Sequence, residues 1–453
     1  MRKRLTFELT AILSVLLTLL AACGTNISTS NAPAAPVTAP ITVPAGENIY
    51  VLDHYTTSNY ETIDPSVRHI VGLHTGNSSS TPVMTLPDGL LSQDHQRLYT
   101  AIPRNGYTTV TVINTRTGAA IRKFNIDCVF GSATRGEDVS ALSADGRWFV
   151  LHDYTSGFDT TTLMLIDTVA GKLVEQISLP GGDFTLDAIS PGGKAIYLLQ
   201  KLNDSPDHYY VRVYDVNQNQ LVETPLVDKT INNPSGDANM SGEALTRQVL
   251  NGGAFAYTLY TDTLHNLAFV HILPLNDQIQ PLVAHCVDLP VGKSASLLRY
   301  YTLTLSADGK MLYAANGALG IVARIPLDNS DPTSIFNDLL QTVNRFDPGT
   351  INMTIGNQSR SLYNAAALSS DGSTLFFAGV QGIWAVNTSD LSIKTHYLTQ
   401  LSLTSIALSS NNQLLYAVDP TSGITLVNDG NGRPQQVIQG AVNNPWGISW
   451  IDN

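Results

Sequence analysis

The chain has 453 residues, of which 43% are apolar and only 14% charged, with a formal net charge of −12. That apolar share supports a sizeable core and excludes global disorder, and the acidic balance, with no basic stripe to neutralise phosphates, excludes a nucleic-acid partner. Sparse charge beside plentiful Thr, Ser, Asn and Gly suits short strands joined by turns better than helices, whose wet faces carry Glu, Lys and Arg.

In chain order, the first element is a targeting signal. Arg2, Lys3 and Arg4 precede a mostly apolar stretch from Leu5 to Leu20, and "LAAC" (Leu20 to Cys23) closes it with small residues before a cysteine. This pattern resembles the lipobox of bacterial lipoproteins. The resemblance implies cleavage before Cys23 and lipidation of its thiol; an ordinary secretory signal and an uncleaved anchor are the alternatives, the run being short for a span. Loss of residues 1–22, which hold Arg2, Lys3, Arg4 and Glu8, leaves a mature chain of about −14. The expected location is therefore outside the cell membrane or on the outer membrane, held by the N-terminal lipid. Residues 24–46 carry no charge, no aromatic and four prolines, which reads as a tether too polar and too interrupted to bury a core. The expected domains are thus 1–22 signal peptide, 23–46 lipidated cysteine and tether, and 47–453 one folded domain.

That domain is internally repetitive. "SADG" or a variant begins at Ser92, Ser143, Ser190, Ser306, Ser369 and Ser409, with a degenerate copy at "LNGGAFAYTLY" from Leu250. The spacing fits propeller blades. Each unit shows a small apolar strand, a turn with Asp/Asn-Gly or Gly-Gly, a strand with aromatics, a third strand with period-2 alternation and a variable fourth. The small residues of the first strand fit a crowded axis, and the aromatics of the second fill the space between sheets. The Asp-Gly pairs read as turns rather than metal ligands. "NNPWGISWIDN" at the C-terminus looks like a first strand without partners. "ENIYVLDHY", "NYETIDP" and "RHIVGL" look like strands two to four without a first. Joined, they close a ring and remove its sheet edges. The expected fold is all-β, a single β-propeller of four-stranded blades, eight by count; seven is the alternative if the copy at Leu250 is an elaboration. Cys128 and Cys286 fall three blades apart in this register, too far to bridge, and are expected as buried thiols.

"LSADGKMLYAAN" (Leu305 to Asn316) resembles the YVTN-type repeat of bacterial surface propellers, and the set is similar to the wider lactonase-like and quinoprotein-like group. The resemblance covers nearly all of 47–453 and implies fold far more strongly than function. Lactonase-like members hold a metal at the channel mouth with carboxylates and an amide. Glu137, Asp138, Asp153 and Asn316 are candidates for such a set, but no pattern fixes a trio. "SADGRW" is one residue too short for a sialidase-type Asp box, and the quinoprotein tryptophan after the turn glycine is missing. There is no G-x-S-x-G, phosphate loop or C-x-x-C-H, so no cofactor is expected. The pairs His69/His74 and His265/His271 read as ordinary strand and loop histidines.

The connections between strands two and three, and between blades, read as long and irregular, and they open on one face. That face is expected to carry Tyr55, Tyr60, Tyr107, His152, Asp153, Tyr154, Phe158, Tyr209 and Tyr210, suited to a protein or glycan ligand. The longest insert, Pro326 to Tyr363, contains "DPTSIFNDLLQTVNRF", which reads as a short helix with Ile335, Leu339, Val343 and Phe346 on its apolar face. The functional expectation is a monomeric, lipid-anchored binding or scaffold module without catalytic residues. A lactonase-like hydrolase and an accessory protein of an envelope machine are the alternatives.

Overall fold

The computed structural model describes residues 47–54, 68–75, 82–131, 140–153, 160–202, 205–230, 235–279, 283–327, 342–349, 362–410, 414–428, 434–438 and 442–452. The segments expected as signal peptide and tether, Cys23 and "NYETIDP" lie outside these residues.

The described residues form eight sheets in a ring, antiparallel but for one parallel edge strand, a β-propeller of eight blades. Blade 1 is built from Leu90–Leu91, Arg97–Pro103, Thr108–Asn114 and Ala120–Ile126; blade 2 runs from Ala141–Leu142 to Lys172–Pro180. Blade 3 begins at Phe184–Ile189 and blade 4 at Glu243–Val249; each carries a fifth strand. Blade 5 starts at Thr302–Leu305, blade 6 at Ala366–Leu368 and blade 7 at Ser405–Leu408. Blade 8 takes its first strand, Pro445–Asp452, from the C-terminus and its other three, Asn48–His54, Arg68–His74 and Met84–Pro87, from the N-terminus. The weak copy at Leu250 is therefore a full blade, and the count of eight stands. One detail differs from the expectation: "RHIVGL" is the third strand of blade 8, and the fourth is Met84–Pro87.

The repeat owes its form to one turn. Five residues separate the first and second strands in every blade from 1 to 7 (92–96 in blade 1, 306–310 in blade 5). In blade 2 the Ser143 hydroxyl donates to Asp145 at 2.6 Å, and its oxygen accepts the Trp148 amide at 2.9 Å. Asp145 in turn accepts the Arg147 amide at 2.9 Å. The same bonds recur at Ser306/Asp308 and Ser369/Asp371. The Ser and Asp side chains thus replace the ladder partners that the chain loses where it reverses. Hydrogen bonds from Ser369 and the Ser373 amide and hydroxyl hold the Asp371 carboxyl down at about 2. Blade 3 has "SPGG", without the aspartate. There Asp277 of blade 4 reaches across and accepts from the Ser190 hydroxyl at 2.6 Å and the Gly192 amide at 3.1 Å.

The turn glycine has a second task. Gly146 sits at φ +73, and a Cβ there would lie 1.9 Å from the Tyr99 hydroxyl of blade 1. Gly193 of blade 3 likewise receives Trp148 of blade 2, whose ring would be 2.5 Å from such a Cβ. At these two hairpins the aromatic of the preceding blade's second strand docks over the turn, so a glycine is required there on both steric and backbone grounds.

The ring closes by pairing Asn48–His54 with Pro445–Asp452. Trp450 stacks on Tyr50 at 4.1 Å with planes 9° apart, and both rings are buried. Glu47 pins the start of this strand to blade 7: its carboxylate accepts from the Tyr416 hydroxyl at 2.5 Å and the Ser410 amide at 2.6 Å.

Within the insert expected as a helix, residues 328–341 lie outside the described residues, but Thr342–Arg345 is a strand, the fourth of blade 5. Val343 and Phe346 thus do not share a helix face. The backbone there has a free ladder edge at Ile321–Pro326 to satisfy, and pairing with it outweighs local helical periodicity. Phe346 still packs inward, against Trp384 at 4.5 Å.

Replacing Trp450 by Ala removes the largest side chain at the closure and is expected to lower stability by about 3–5 kcal/mol in urea denaturation. A loss under about 1 kcal/mol would show that closure does not rest on this stack.

Candidate functional site

The two faces of the ring differ, though not quite as the sequence suggests. The connections between strands two and three shrink to two to four residues in blades 3 to 7. The long segments on that face are mostly the links between blades, such as 127–140, 222–242, 289–301 and 346–365. Residues 328–341, outside the described residues, fall in sequence between the third and fourth strands of blade 5, Ile321–Pro326 and Thr342–Arg345.

Of the residues expected on the long-loop face, Tyr55, Tyr60, Tyr154 and Phe158 lie outside the described residues, and Asp153 ends a strand, its side chain undescribed. Tyr107 is 37% exposed at the turn of blade 1. Tyr209 and Tyr210 belong to a strand, Ser205–Asp215, not to a loop. Tyr210 is half-buried, whereas Tyr209 is buried between blades 3 and 4, and its hydroxyl donates to Ser241 O at 3.4 Å. His152 is buried as well. Tyr209 and His152 are thus corrected: period-2 alternation turns these positions into the interblade space. Of the carboxylate and amide candidates for a channel-mouth metal, Glu137 and Asp138 are outside the described residues. Asn316 is fully buried and engaged with backbone, donating to Leu297 O at 2.9 Å and accepting from the Leu319 amide at 3.0 Å.

A cavity of about 300 Å³ lies along the first strands, lined among others by Asp88, His95, Tyr363, Asn364 and Ser449. Its polar groups serve the fold: Asp88 accepts the Gly89 amide at 2.8 Å, and Asn364 donates to Ile448 O at 3.1 Å.

The densest buried polar arrangement sits in the seam between blades 3 and 4, where the repeat is weakest. After its short fourth strand, Gln220–Leu221, the chain leaves blade 3 and adds Val227–Lys229 in parallel to the outer edge of blade 4. It then pairs Asn239–Ser241 back onto Ser205–Asp215 and enters the first strand of blade 4. This strap stitches the two blades together. Asp228 is held from both sides: its strand pairs with Val283–Asp288, and Asp228 and Asp237 exchange amide-to-carbonyl bonds of 2.7 and 2.8 Å.

Register then lines up one polar row across blade 4. Arg247 pairs with Thr258, Thr258 with His271, and His271 with Cys286, so all four side chains share the face toward blade 3. At the inner end, Arg247 donates to both the carboxylate and the backbone oxygen of Asp187, on the first strand of blade 3, and to the Thr258 hydroxyl at 2.8 Å. At the outer end, His271 Nε2 lies 2.8 Å from Asp228 Oδ1, and Cys286 Sγ lies 4.0 Å from the same oxygen. Burial pushes the Cys286 thiol well up, and the carboxylates of Asp228 and Asp288 add to that. Tyr260 packs edge-on to His271 at 6.1 Å and stacks on Phe269 at 5.4 Å, so the row is walled by aromatics.

The contact of His271 with Asp228 is close but poorly directed. Among the described residues, neither His271 nitrogen nor Asp228 Oδ2 has a well-aligned hydrogen-bond partner. Such a group left unpaired in the interior is destabilising by about 1–3 kcal/mol. Asp228, His271 and Cys286 place their ligand atoms within 4.8 Å of one another, and they are the one such group of three among the described residues. These are the residues that could hold a metal. The residues by themselves do not single out the three: His271 reads as an ordinary strand histidine and Cys286 as a buried thiol. Their separation along the chain hides the cluster, and the signal present was two chemically active residues at inward-facing strand positions.

No family model matches the chain, and no curated protein does. Solved structures do resemble it. A periplasmic gluconolactonase of Pseudomonas aeruginosa is 15% identical over 77% of this chain and 98% of its own, with a TM-score of 0.39. AztD of Citrobacter koseri is 9% identical over 89% and 96%, with a TM-score of 0.47. The dihydro-heme d1 dehydrogenase NirN is 12% identical over 89% and 74%, with a TM-score of 0.48. These likenesses are of overall shape and say nothing of ligand or activity.

Arg247→Met leaves Asp187 buried without its cation. It is expected to cost about 3 kcal/mol in denaturant unfolding, the low end for a broken buried pair because the Arg247 side chain keeps 27% exposure.

Proposed function

We propose that this chain is exported, is anchored to a membrane through a lipid on Cys23, and works as a binding or scaffold module for a protein or glycan. The observation that carries the reading is the asymmetry of the ring. In blades 1 to 7 the first-to-second-strand turn is reduced to the same five residues, while the opposite face bears most of the long links between blades. Loops on a rigid, closed scaffold are where recognition resides, because their shape can vary without disturbing the core. Tyr107, exposed at the second-to-third-strand turn of blade 1, and Tyr210, half-buried on the third strand of blade 3, are the side chains we assign to this surface, able to stack on a ligand and to hydrogen-bond it. The tether of residues 24–46 is long enough to hold the domain clear of headgroups. The hydrolase alternative draws no support from Asn316, whose amide is committed to backbone groups.

Cys23→Ala is expected to move the protein from the membrane to the soluble fraction on cell fractionation; unchanged membrane association would refute the anchor. On a glycan array and in cross-linking to surface proteins of intact cells, Tyr107→Ala combined with Tyr210→Ala is expected to weaken capture at least about tenfold with unchanged circular dichroism. Equal capture by the double variant would move the binding surface elsewhere.

A further inference from the structure

We propose that the seam between blades 3 and 4 is a site for a divalent transition metal of the zinc class, with Asp228, His271 and Cys286 as its three protein ligands. The reading is independent of the anchor and of the long-loop face. Its first support is the donor set. One thiolate, one imidazole and one carboxylate suit a borderline ion and are poorly suited to magnesium or calcium, which take oxygen ligands.

The second support is geometry. Bonds of about 2.0–2.3 Å in a tetrahedron set ligand atoms roughly 3.3–3.6 Å apart. The observed separations bracket that range: 2.8 Å from His271 Nε2 to Asp228 Oδ1, and 4.0 Å from Cys286 Sγ to the same oxygen. Opening one and closing the other by about half an ångström brings these two pairs to coordination distances, and the His271 and Cys286 ligand atoms lie within 4.8 Å of each other. The third support is the orphaned polarity. His271 is fully buried and Asp228 nearly so, yet neither imidazole nitrogen nor Asp228 Oδ2 has a well-aligned hydrogen bond among the described residues. A cation between the three groups would give the His271 imidazole and the Asp228 carboxylate a well-directed partner that the fold alone does not supply.

Asp228 arrives on the strap, whereas His271 and Cys286 stand on consecutive strands of blade 4. An ion here would tie the strap to the blade. Three protein ligands leave the fourth position of a tetrahedral ion to water or an exchangeable ligand. Binding displaces the thiol proton from Cys286, so affinity falls as pH is lowered.

The test uses the full-length chain in detergent, stripped with a chelator under reducing conditions, and titrated with Co²⁺ and then Zn²⁺. The expected result is one Co²⁺ per chain with a thiolate-to-cobalt charge-transfer band, displaced by one equivalent of Zn²⁺. The band should persist in Cys128→Ser and vanish in Cys286→Ser. Asp228→Asn should weaken Zn²⁺ binding by at least about 100-fold, because a direct ligand is lost rather than one of the outer partners whose loss costs about 10–100-fold. If Cys286→Ser does not fold, X-ray absorption of the zinc-loaded wild-type chain decides, with one sulfur expected in the first shell beside nitrogen and oxygen. No band from a folded wild-type chain, a band that survives Cys286→Ser, or a zinc shell without sulfur would each overturn the assignment.

Discussion

The structure depends on one pairing between the two ends of the folded domain. Asn48–His54 lies between the C-terminal strand and Arg68–His74, so the last strand of the chain becomes the innermost strand of a blade whose other three come first. An open row of blades would leave an unsatisfied ladder at each end. Closure removes both ends at once, and it fixes the number of blades, since the ring admits neither a gap nor a ninth sheet. The Tyr50–Trp450 stack and the contacts of Glu47 with blade 7 act at this joint. They turn two chain segments, separated by nearly the whole domain, into one sheet.

Around the ring the same economy repeats at smaller scale. In blades 2, 5 and 6 the hairpin satisfies its own backbone with a Ser and an Asp, and at Gly146 the bare glycine receives Tyr99 of the neighbouring blade. Where the aspartate is missing, at Ser190, the next blade supplies Asp277 in its place. That substitution across blades falls in the seam where the chain also departs from the plan with a strap and two extra strands. The irregular seam is the one that collects Asp187, Arg247, Asp228, His271 and Cys286. A regular blade interface is apolar because aromatics and aliphatics fill it; this one admits charge because the strap brings a carboxylate to the outer edge and a bulge between Leu186 and Ala188 lies at Asp187 on the inner one.

Much of this was readable in the residues. The Ser-x-Asp-Gly recurrence, the aromatic second strands and the unpartnered "NNPWGISWIDN" led to the closed eight-bladed ring, because each is a local pattern tied to a local conformation. The helix expected across 331–346 failed at Thr342–Arg345 because a vacant edge strand competes with local periodicity, and only the folded blade presents that edge. Tyr209 looked like a loop aromatic because "NDSPD" resembles a turn signal, whereas the strand runs from Ser205 and alternation carries the ring inward.

The sequence by itself determined the architecture, since blade-to-blade repetition and complementary termini are written in residue type and spacing. It also determined the acidic, charge-poor composition of the chain. Only the tertiary structure decided what lies between the blades. Asp228, His271 and Cys286 are distant in the chain and belong to no motif; they meet because a parallel edge strand and two antiparallel registers place them on one face. Register is a property of strands already paired, and the strap pairs with blade 4 only after blades 3 and 4 have come together.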